Sequence, residues 1–156
     1  MLEIAVITIS DRAHSGEYAD RSGPEIRRVL EASGIDLTVS VDLVPDDPDD
    51  IRAALENRLG VDWIITTGGT GIGPRDGTPE VTAEFCERML PGVEEMLRRE
   101  SCRETPFAVY SRGRCGVRDG TLVVNFPGSV KAVRLSTKLI LPLLEHGAKM
   151  LRGEGH

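Results

Sequence analysis

The chain has 156 residues, of which 40% are hydrophobic and 28% charged, a composition typical of a soluble globular protein with one domain over residues 1–156. Its formal net charge of −6 argues against nucleic-acid binding, since nucleic-acid-binding proteins usually present a basic face. No segment is apolar for long enough to span a membrane, and the N-terminus does not resemble a secretion signal. The expected location is the cytoplasm.

The three cysteines, Cys86, Cys102 and Cys115, are widely spaced and odd in number. They match neither a disulfide framework nor the spacing of metal ligands. The histidines do not indicate a catalytic site either, because His14 lies in a polar loop and His146 and His156 are expected at the surface. Nucleophilic catalysis is therefore poorly supported, and no Gly-x-Ser-x-Gly motif is present.

The N-terminal part of the chain predicts a strand, a helix and a second strand. Residues 4–9 are almost uninterrupted aliphatics, typical of a strand covered on both faces, and Ser10 and Asp11 follow at its carboxyl end. Ser22 and Glu25 have the spacing of a capping box and predict a helix that stops at Gly34. Residues 38–44 alternate between apolar and polar side chains, which indicates an edge strand with one face in water.

The next segment, residues 45–50, contains four aspartates. Asp47 before a proline is expected to cap a helix that ends at Gly60, and Asp49 and Asp50 suit the positive end of the helix dipole. Asp46 has no such local explanation. It follows directly after a predicted strand, where α/β sheets place their ligand crevice.

A glycine-rich loop lies at the centre of the sequence. An apolar strand over residues 61–66 leads into Thr67-Gly68-Gly69-Thr70-Gly71-Ile72-Gly73-Pro74-Arg75-Asp76, and Thr78-Pro79 is expected to begin the next helix with Thr78 as its cap. Glycines let a ligand approach the backbone amides, and amides beside a helix N-terminus suit phosphate. Pro74 breaks both the dinucleotide-binding and the P-loop spacing. A turn that binds only water remains the alternative.

The remaining chain predicts a helix with Val81, Phe85 and Met89 on one face, a short helix over residues 93–100 and an irregular hairpin over 107–117. A strand at 121–126 then leads through Pro127-Gly128-Ser129 into a helix capped by Ser129. Pro142 is expected to divide the C-terminal region into two helices, 130–139 and 141–151.

Strands that alternate with helices predict a three-layer α/β/α fold around a mostly parallel sheet with helices on both faces. The candidate site segments each follow a predicted strand. In a parallel sheet, these segments share one rim: Ser10-Asp11, Asp46, Gly68–Gly71 and Gly128-Ser129.

The sequence blocks around this rim resemble the molybdopterin adenylyltransferase family, the Mog-type proteins that include the G domain of gephyrin. The blocks occur in the family's order along nearly the whole chain: Ile9-Ser10-Asp11-Arg12, Val44-Pro45-Asp46-Asp47, Thr67-Gly68-Gly69-Thr70-Gly71 with Arg75-Asp76-Gly77-Thr78-Pro79-Glu80, and Asn125-Phe126-Pro127-Gly128-Ser129-Val130-Lys131. The resemblance implies a homotrimer with one antiparallel strand in its sheet, and an enzyme that uses Mg-ATP to adenylylate molybdopterin and releases pyrophosphate.

The resemblance also carries the expected roles of the site residues. Asp46 and Asp76 are the predicted catalytic carboxylates and hold Mg²⁺, with Asp47 as a further metal ligand. The phosphate, pterin and nucleotide contacts are expected from Ser10, Asp11, Gly68, Gly69, Thr70, Gly71, Pro127, Gly128, Ser129 and Lys131. A downstream protein that inserts molybdate is a further expected partner.

Two readings from other classes remain open. A related protein could bind molybdopterin as a carrier or assembly module without adenylyl transfer, although the presence of both Asp46 and Asp76 argues against this. A dinucleotide oxidoreductase is disfavoured by the broken glycine spacing and by the lack of a Tyr-x-x-x-Lys pair.

Overall fold

The computed structural model describes residues 1–154, and His156 therefore lies outside the described part of the chain. Six strands form one sheet in the order β2-β1-β3-β6-β5-β4. The strands are β1 Leu2–Ile9, β2 Leu37–Val44, β3 Trp63–Thr67, β4 Arg88–Met89, β5 Cys115–Arg118 and β6 Thr121–Phe126. The first four strands of this order are parallel, and β5 runs antiparallel to both of its neighbours. The predicted mostly parallel sheet with one antiparallel strand is confirmed.

Helices cover both faces of the sheet. They are α1 Asp11–His14, α2 Ser22–Glu31, α3 Pro48–Asn57, α4 Thr78–Phe85, α5 Pro91–Glu104 and α6 Val130–Leu151, with a 3₁₀ turn at Pro106–Tyr110. One core cluster lies between the sheet and α2, α5 and α6, and includes Ile4, Trp63 and Val124. The other lies on the opposite face beneath α3 and α4, and includes Ile7, Ile64 and Phe85. The fold is therefore the predicted three-layer α/β/α arrangement.

The parallel strands end at nearly the same level. Thr8 pairs with Thr67, Ile9 pairs with Val44, and Thr67 pairs with Phe126. The chain leaves β1 for β2 on one side and returns to β3 on the other, so the sheet has a switch point between β1 and β3. Ligand crevices in open α/β sheets form outside the carboxyl ends of the strands at such a point.

Several local predictions hold. β2 is an edge strand, as its alternation indicated. The side chain of Asp47 accepts hydrogen bonds from the amides of Asp49 and Asp50 and caps α3, and Ser129 caps α6 by accepting from the amide of Ala132. Among the described residues, no helix is both long and apolar enough to cross a membrane.

The sequence predicted that Ser22 caps α2 and that Thr78 caps α4, and both predictions were wrong. Ser22 is the first residue of α2, and Arg21 is the N-cap without a capping side-chain hydrogen bond. The carboxylate of Asp20 accepts from the amide of Gly23 at 3.2 Å and from the hydroxyl of Ser22 at 3.4 Å. Thr78 is likewise the first residue of α4, and its hydroxyl donates to the carbonyl of Gly68 at 3.1 Å instead of capping. Both hydroxyls therefore bond to groups that precede their helices in the chain.

The C-terminal prediction also needs correction, because α6 continues through Pro142 as one helix of 22 residues. Proline removes the hydrogen bond to the carbonyl four residues earlier, here that of Lys138. Both Pro142 and Lys138 lie on the exposed side of α6, so water can reach this carbonyl while the apolar side of the helix stays packed.

The middle of the chain differs from its prediction in three places. α4 ends at Phe85, and Met89 belongs to the short strand β4 that pairs with β5. α5 runs from Pro91 to Glu104, well beyond the predicted short helix. The irregular hairpin is a 3₁₀ turn followed by β5, which forms a hairpin with β6.

Candidate active site

Two cavities flank the glycine loop at the carboxyl ends of the parallel strands, with volumes of about 750 and 730 Å³. Gly68, Gly69, Gly128 and Ser129 line both, so the two cavities are neighbours with these backbone segments between them. The predicted convergence of the four segments on one rim is therefore confirmed as geometry.

The first cavity, here called the basic cavity, lies between the loop, α5, the 3₁₀ turn and α6. Five cationic side chains and three acidic ones line it: Arg98, Arg114, Lys131, Arg134 and Lys138, with Asp76, Glu94 and Glu104. Lys131, the predicted cation, lies 3.7 Å from Glu104. A local excess of positive charge in a protein with a net charge of −6 favours an anionic ligand at this cavity.

The second cavity, here called the acidic cavity, lies over the switch point between β1 and β3. Its lining contains Ser10, Asp11 and Asp46 together with Tyr18 and Asp20. The hydroxyl of Ser10 accepts from the amide of Ala13 and lies 3.1 Å from that of Tyr18. This cavity has fewer cations than acids, with Arg12 and Arg21 opposite three aspartates.

The loop itself requires glycine at its first two positions. Gly68 and Gly69 have φ angles of +100° and +68°. A Cβ on Gly68 would lie 2.2 Å from the carbonyl oxygen of Ile9, and a Cβ on Gly69 would lie 2.3 Å from the hydroxyl oxygen of Thr78. β1 and α4 therefore approach the loop backbone as closely as glycine allows. Gly71 lacks a positive φ, and its constraint is Asp76, whose Oδ2 would lie 2.9 Å from an added Cβ.

Asp46 has an unusual environment. Its Oδ1 is, among residues 1–154, the one buried side-chain oxygen or nitrogen without a hydrogen-bond partner. Burial, reinforced by the neighbouring carboxylates of Asp76 and Asp11, raises the pKa of Asp46 to about 6, with Arg75 acting in the opposite direction. Native proteins rarely leave a buried polar atom unpaired, so this oxygen is a candidate ligand-binding group.

Asp76 and Asp11 are the two carboxylates that neighbour Asp46. The Oδ2 of Asp76 accepts from the amide of Gly73 at 2.9 Å. Asp11 accepts from the amide of Asp46 at 2.9 Å and from Arg75 at 2.6 Å, and both interactions lower its pKa. Arg75 pairs with Asp11 and Lys131 with Glu104, so neither of these neighbouring cations forms an ion pair with Asp76.

Of the three predicted metal ligands, Asp46, Asp47 and Asp76, the structure does not place Asp47 at the site. Asp47 lines neither cavity, and its Oδ1 is occupied by the cap of α3. In the described part of the chain, no three His, Cys, Asp or Glu side chains are arranged to hold a metal ion. His14 also lines neither cavity. Asp46 and Asp76 remain as the two carboxylates at the loop.

The sequence did not reveal three polar residues that build the site. Arg112 donates to two carbonyls of the glycine loop. Arg114 pairs with the buried Glu94 and lines the basic cavity. Asn125 joins β3, β6 and α4 by donating to the hydroxyls of Thr66 and Thr82, each at 2.9 Å. Their partners are distant in sequence, so the available signals were the Arg112-Gly113-Arg114 run for the two arginines and, for Asn125, its place at the start of the block that leads into Pro127-Gly128-Ser129.

A parallel α/β sheet with a glycine loop and acidic groups at its switch point defines a class of small-molecule-binding α/β domain. Residues 5–146 match the family described as "Probable molybdopterin binding domain", and the chain belongs to this family.

Named relatives agree with this assignment. The chain is 35% identical over 156 residues to the molybdopterin adenylyltransferase of Helicobacter pylori strain J99, covering 97% of this chain and 89% of that protein. It is 37% identical over 153 residues to the molybdenum cofactor synthesis protein cinnamon of Drosophila melanogaster, covering 96% of this chain but only 26% of that longer protein.

A solved structure supports the fold across the whole chain. The molybdopterin biosynthesis enzyme MoaB of Thermus thermophilus superposes with a TM-score of 0.89 at 42% sequence identity, covering 99% of both chains. The likeness therefore extends over all the segments that form the two cavities.

Proposed function

We propose that the protein is a nucleotidyltransferase of molybdenum cofactor biosynthesis that transfers AMP from ATP to the terminal phosphate of molybdopterin. The observation that carries the proposal is the buried, unpaired Oδ1 of Asp46 beside the glycine loop. The proposal is further supported by the family match and by the name of the Helicobacter pylori relative.

The carboxylates suit a magnesium ion that arrives with ATP. Asp46 has an oxygen without a partner, and Asp76 lies close enough to raise the pKa of Asp46, so a cation between them would relieve both unfavourable features. Mg²⁺ commonly binds one or two carboxylates and completes its shell with water and substrate phosphates. When bound, the ion would neutralise phosphate charge. Asp46 and Asp76 are the residues that would hold it.

The chain's own contribution is to align two phosphates. In the proposed step, an oxygen of the terminal phosphate of molybdopterin forms a bond to the α-phosphorus of ATP. The bond from that phosphorus to the oxygen bridging to the β-phosphate breaks, and pyrophosphate leaves with the electron pair. The amides of Gly68–Gly71 would bind phosphate oxygens, and the cations of the basic cavity would balance the remaining anionic charge.

The other segments on the rim would complete the two binding cavities. Ser10 and Asp11 line the acidic cavity, Pro127 lines the basic one, and Gly128 and Ser129 line both. This arrangement suits two substrates that meet at the glycine loop. A homotrimer and a downstream partner that inserts molybdate are part of the same proposal.

Mass spectrometry of the product tests the proposal. The protein is incubated with molybdopterin, ATP and Mg²⁺, and pyrophosphate release is followed in parallel. The expected product is molybdopterin heavier by one AMP unit, formed together with one pyrophosphate. Bound but unchanged molybdopterin would contradict adenylyl transfer and favour the carrier or assembly module.

A further inference from the structure

The outer part of the glycine loop has little packing to define its shape. Residues 72–75 are all exposed, and the side chain of Ile72 is 69% accessible. Loops that lack buried contacts depend on polar contacts for a single conformation. The inner residues on either side, Gly71 and Asp76, belong to the candidate site.

The side chain of Arg112 joins the residues on either side of this exposed segment. The Nε of Arg112 donates to the carbonyl of Gly71 at 2.8 Å, and its Nη2 donates to the carbonyl of Asp76 at 3.1 Å. Its backbone amide donates to the carbonyl of Thr70 at 2.8 Å. The remaining nitrogen, Nη1, pairs with Glu80 in the first turn of α4.

Arg112 itself lines neither cavity. Its side chain reaches the loop from outside the site, so its effect on a ligand must pass through the loop backbone. The planar guanidinium donates in several fixed directions at once, which the single ammonium nitrogen of lysine cannot reproduce. The arrangement thus depends on the forked shape of the side chain as well as on its charge.

From these contacts we infer that Arg112 is a positioning residue, which closes the loop between Gly71 and Asp76 and sets the Asp76 carboxylate for the transfer. Glu80 holds the guanidinium in place, and the pKa of Glu80 is lowered by this pairing. The inference about turnover rests on the proposed adenylyl transfer, whereas the inference about loop geometry does not.

The test compares Arg112→Lys with Arg58→Lys in the full chain. Arg58 is a matched control, because its guanidinium also makes a forked set of hydrogen bonds, to Asp42, and its side chain is 34% exposed against 36% for Arg112. None of the hydrogen bonds of Arg58 reaches the glycine loop. Three quantities are measured: amide exchange in residues 67–78 without ligand, kcat and KM for AMP transfer, and Tm.

Arg112→Lys is expected to speed loop exchange by about tenfold or more. It should lower kcat by about 10²-fold, the scale of a 1 Å misplacement, and leave KM within about threefold. Arg58→Lys should match wild type in loop exchange and kcat, and the two variants should have similar Tm values.

Wild-type exchange and kcat in Arg112→Lys would overturn the inference, because charge alone would then suffice. If both variants lost kcat equally and their Tm values fell to the same extent, the inference would also be overturned, because the effect would then come from lower stability. Absence of AMP transfer in the wild type would contradict the proposed function instead, and loop exchange alone would then decide whether Arg112 sets the loop geometry.

Discussion

The carboxylate of Asp46 lies directly against Gly69, and a Cβ built on this glycine would come within 3.2 Å of Asp46 Oδ1. That oxygen is buried and unpaired, and the glycine holds a φ of +68°. The contact links two segments that the sequence separates by more than twenty residues. It also places the buried carboxylate, whose pKa is raised by burial, beside the backbone amides that are proposed to bind phosphate.

The first prediction concerns this contact. Gly69→Val should abolish ligand binding and leave the fold largely intact, because valine disfavours positive φ and its Cβ would collide with Thr78 and crowd Asp46. Gly71→Val should also impair binding, here through contact with Asp76. The measurement is molybdopterin affinity together with circular dichroism.

Gly77→Ala is the matched control for the loop, since a Cβ on Gly77 meets nothing within 4 Å and its φ of −135° is negative. It should bind molybdopterin normally. Normal binding by both valine variants would show that the loop is a turn without a ligand-binding role.

The second prediction uses the raised pKa of Asp46. A carboxyl with a folded-state pKa of about 6, against an ordinary 3.8, favours folding when protonated and opposes it when charged. Asp46→Asn should therefore be more stable than wild type at about pH 7.5, by about 1–2 kcal/mol after allowance for solvent screening. The gain should shrink as the pH falls through 6 and vanish below 3.8, as measured by urea unfolding. A pH-independent difference would refute this.

The third prediction concerns acid stability away from the site. Glu25 accepts from Arg28 and from Arg134 and so joins α2 to α6, and these bonds lower its pKa from 4.5 to about 2. A lowered pKa stabilises the fold above pH 4.5, and this contribution is lost as the pH falls towards 2. Glu25→Gln should lower the free energy of unfolding by about 1 kcal/mol at neutral pH.

The matched control is Glu31→Gln, which removes an exposed pair with Arg27 on the same helix. Its effect should be close to zero. The deficit of Glu25→Gln should disappear as the pH approaches 2, and an equal deficit at both pH values would show that the carboxylate charge is not responsible.

The fourth prediction concerns assembly. The expected homotrimer should give a mass near three times the chain mass of 17.0 kDa in light scattering at micromolar concentration. A mass near 17.0 kDa would rule the trimer out.

Several features that depend on neighbours in sequence could be predicted, although the cap of α2 was not. The Asp47 cap needs only the amides two and three residues later, and the edge position of β2 follows from its alternating pattern. The glycine loop and Asp46 could also be placed at the carboxyl ends of strands, and the structure brings both to one rim; their role in binding stays a prediction.

Features that depend on contacts across the fold could not be predicted. Thr78 has the local pattern of a cap, yet its hydroxyl bonds to Gly68, which tertiary packing brings close. Pro142 was expected to break a helix, but the sequence does not reveal that it faces water on a helix packed along its other side. Arg112 reaches Gly71 across 41 positions of sequence, and no periodicity indicates such a pairing.

Asp46 and Asp76 are proposed to serve chemistry more than binding, and turnover measured beside affinity in three variants tests this. Asp46→Asn and Asp76→Asn should bind molybdopterin within about tenfold of wild type, but kcat for AMP transfer should fall by about 10²–10³-fold, as for loss of a comparable electrostatic stabiliser. Asp49→Asn, which alters only a charge at the start of α3, should react almost normally. Near-wild-type turnover by Asp76→Asn, or equal losses in all three variants, would contradict a catalytic role for the two carboxylates.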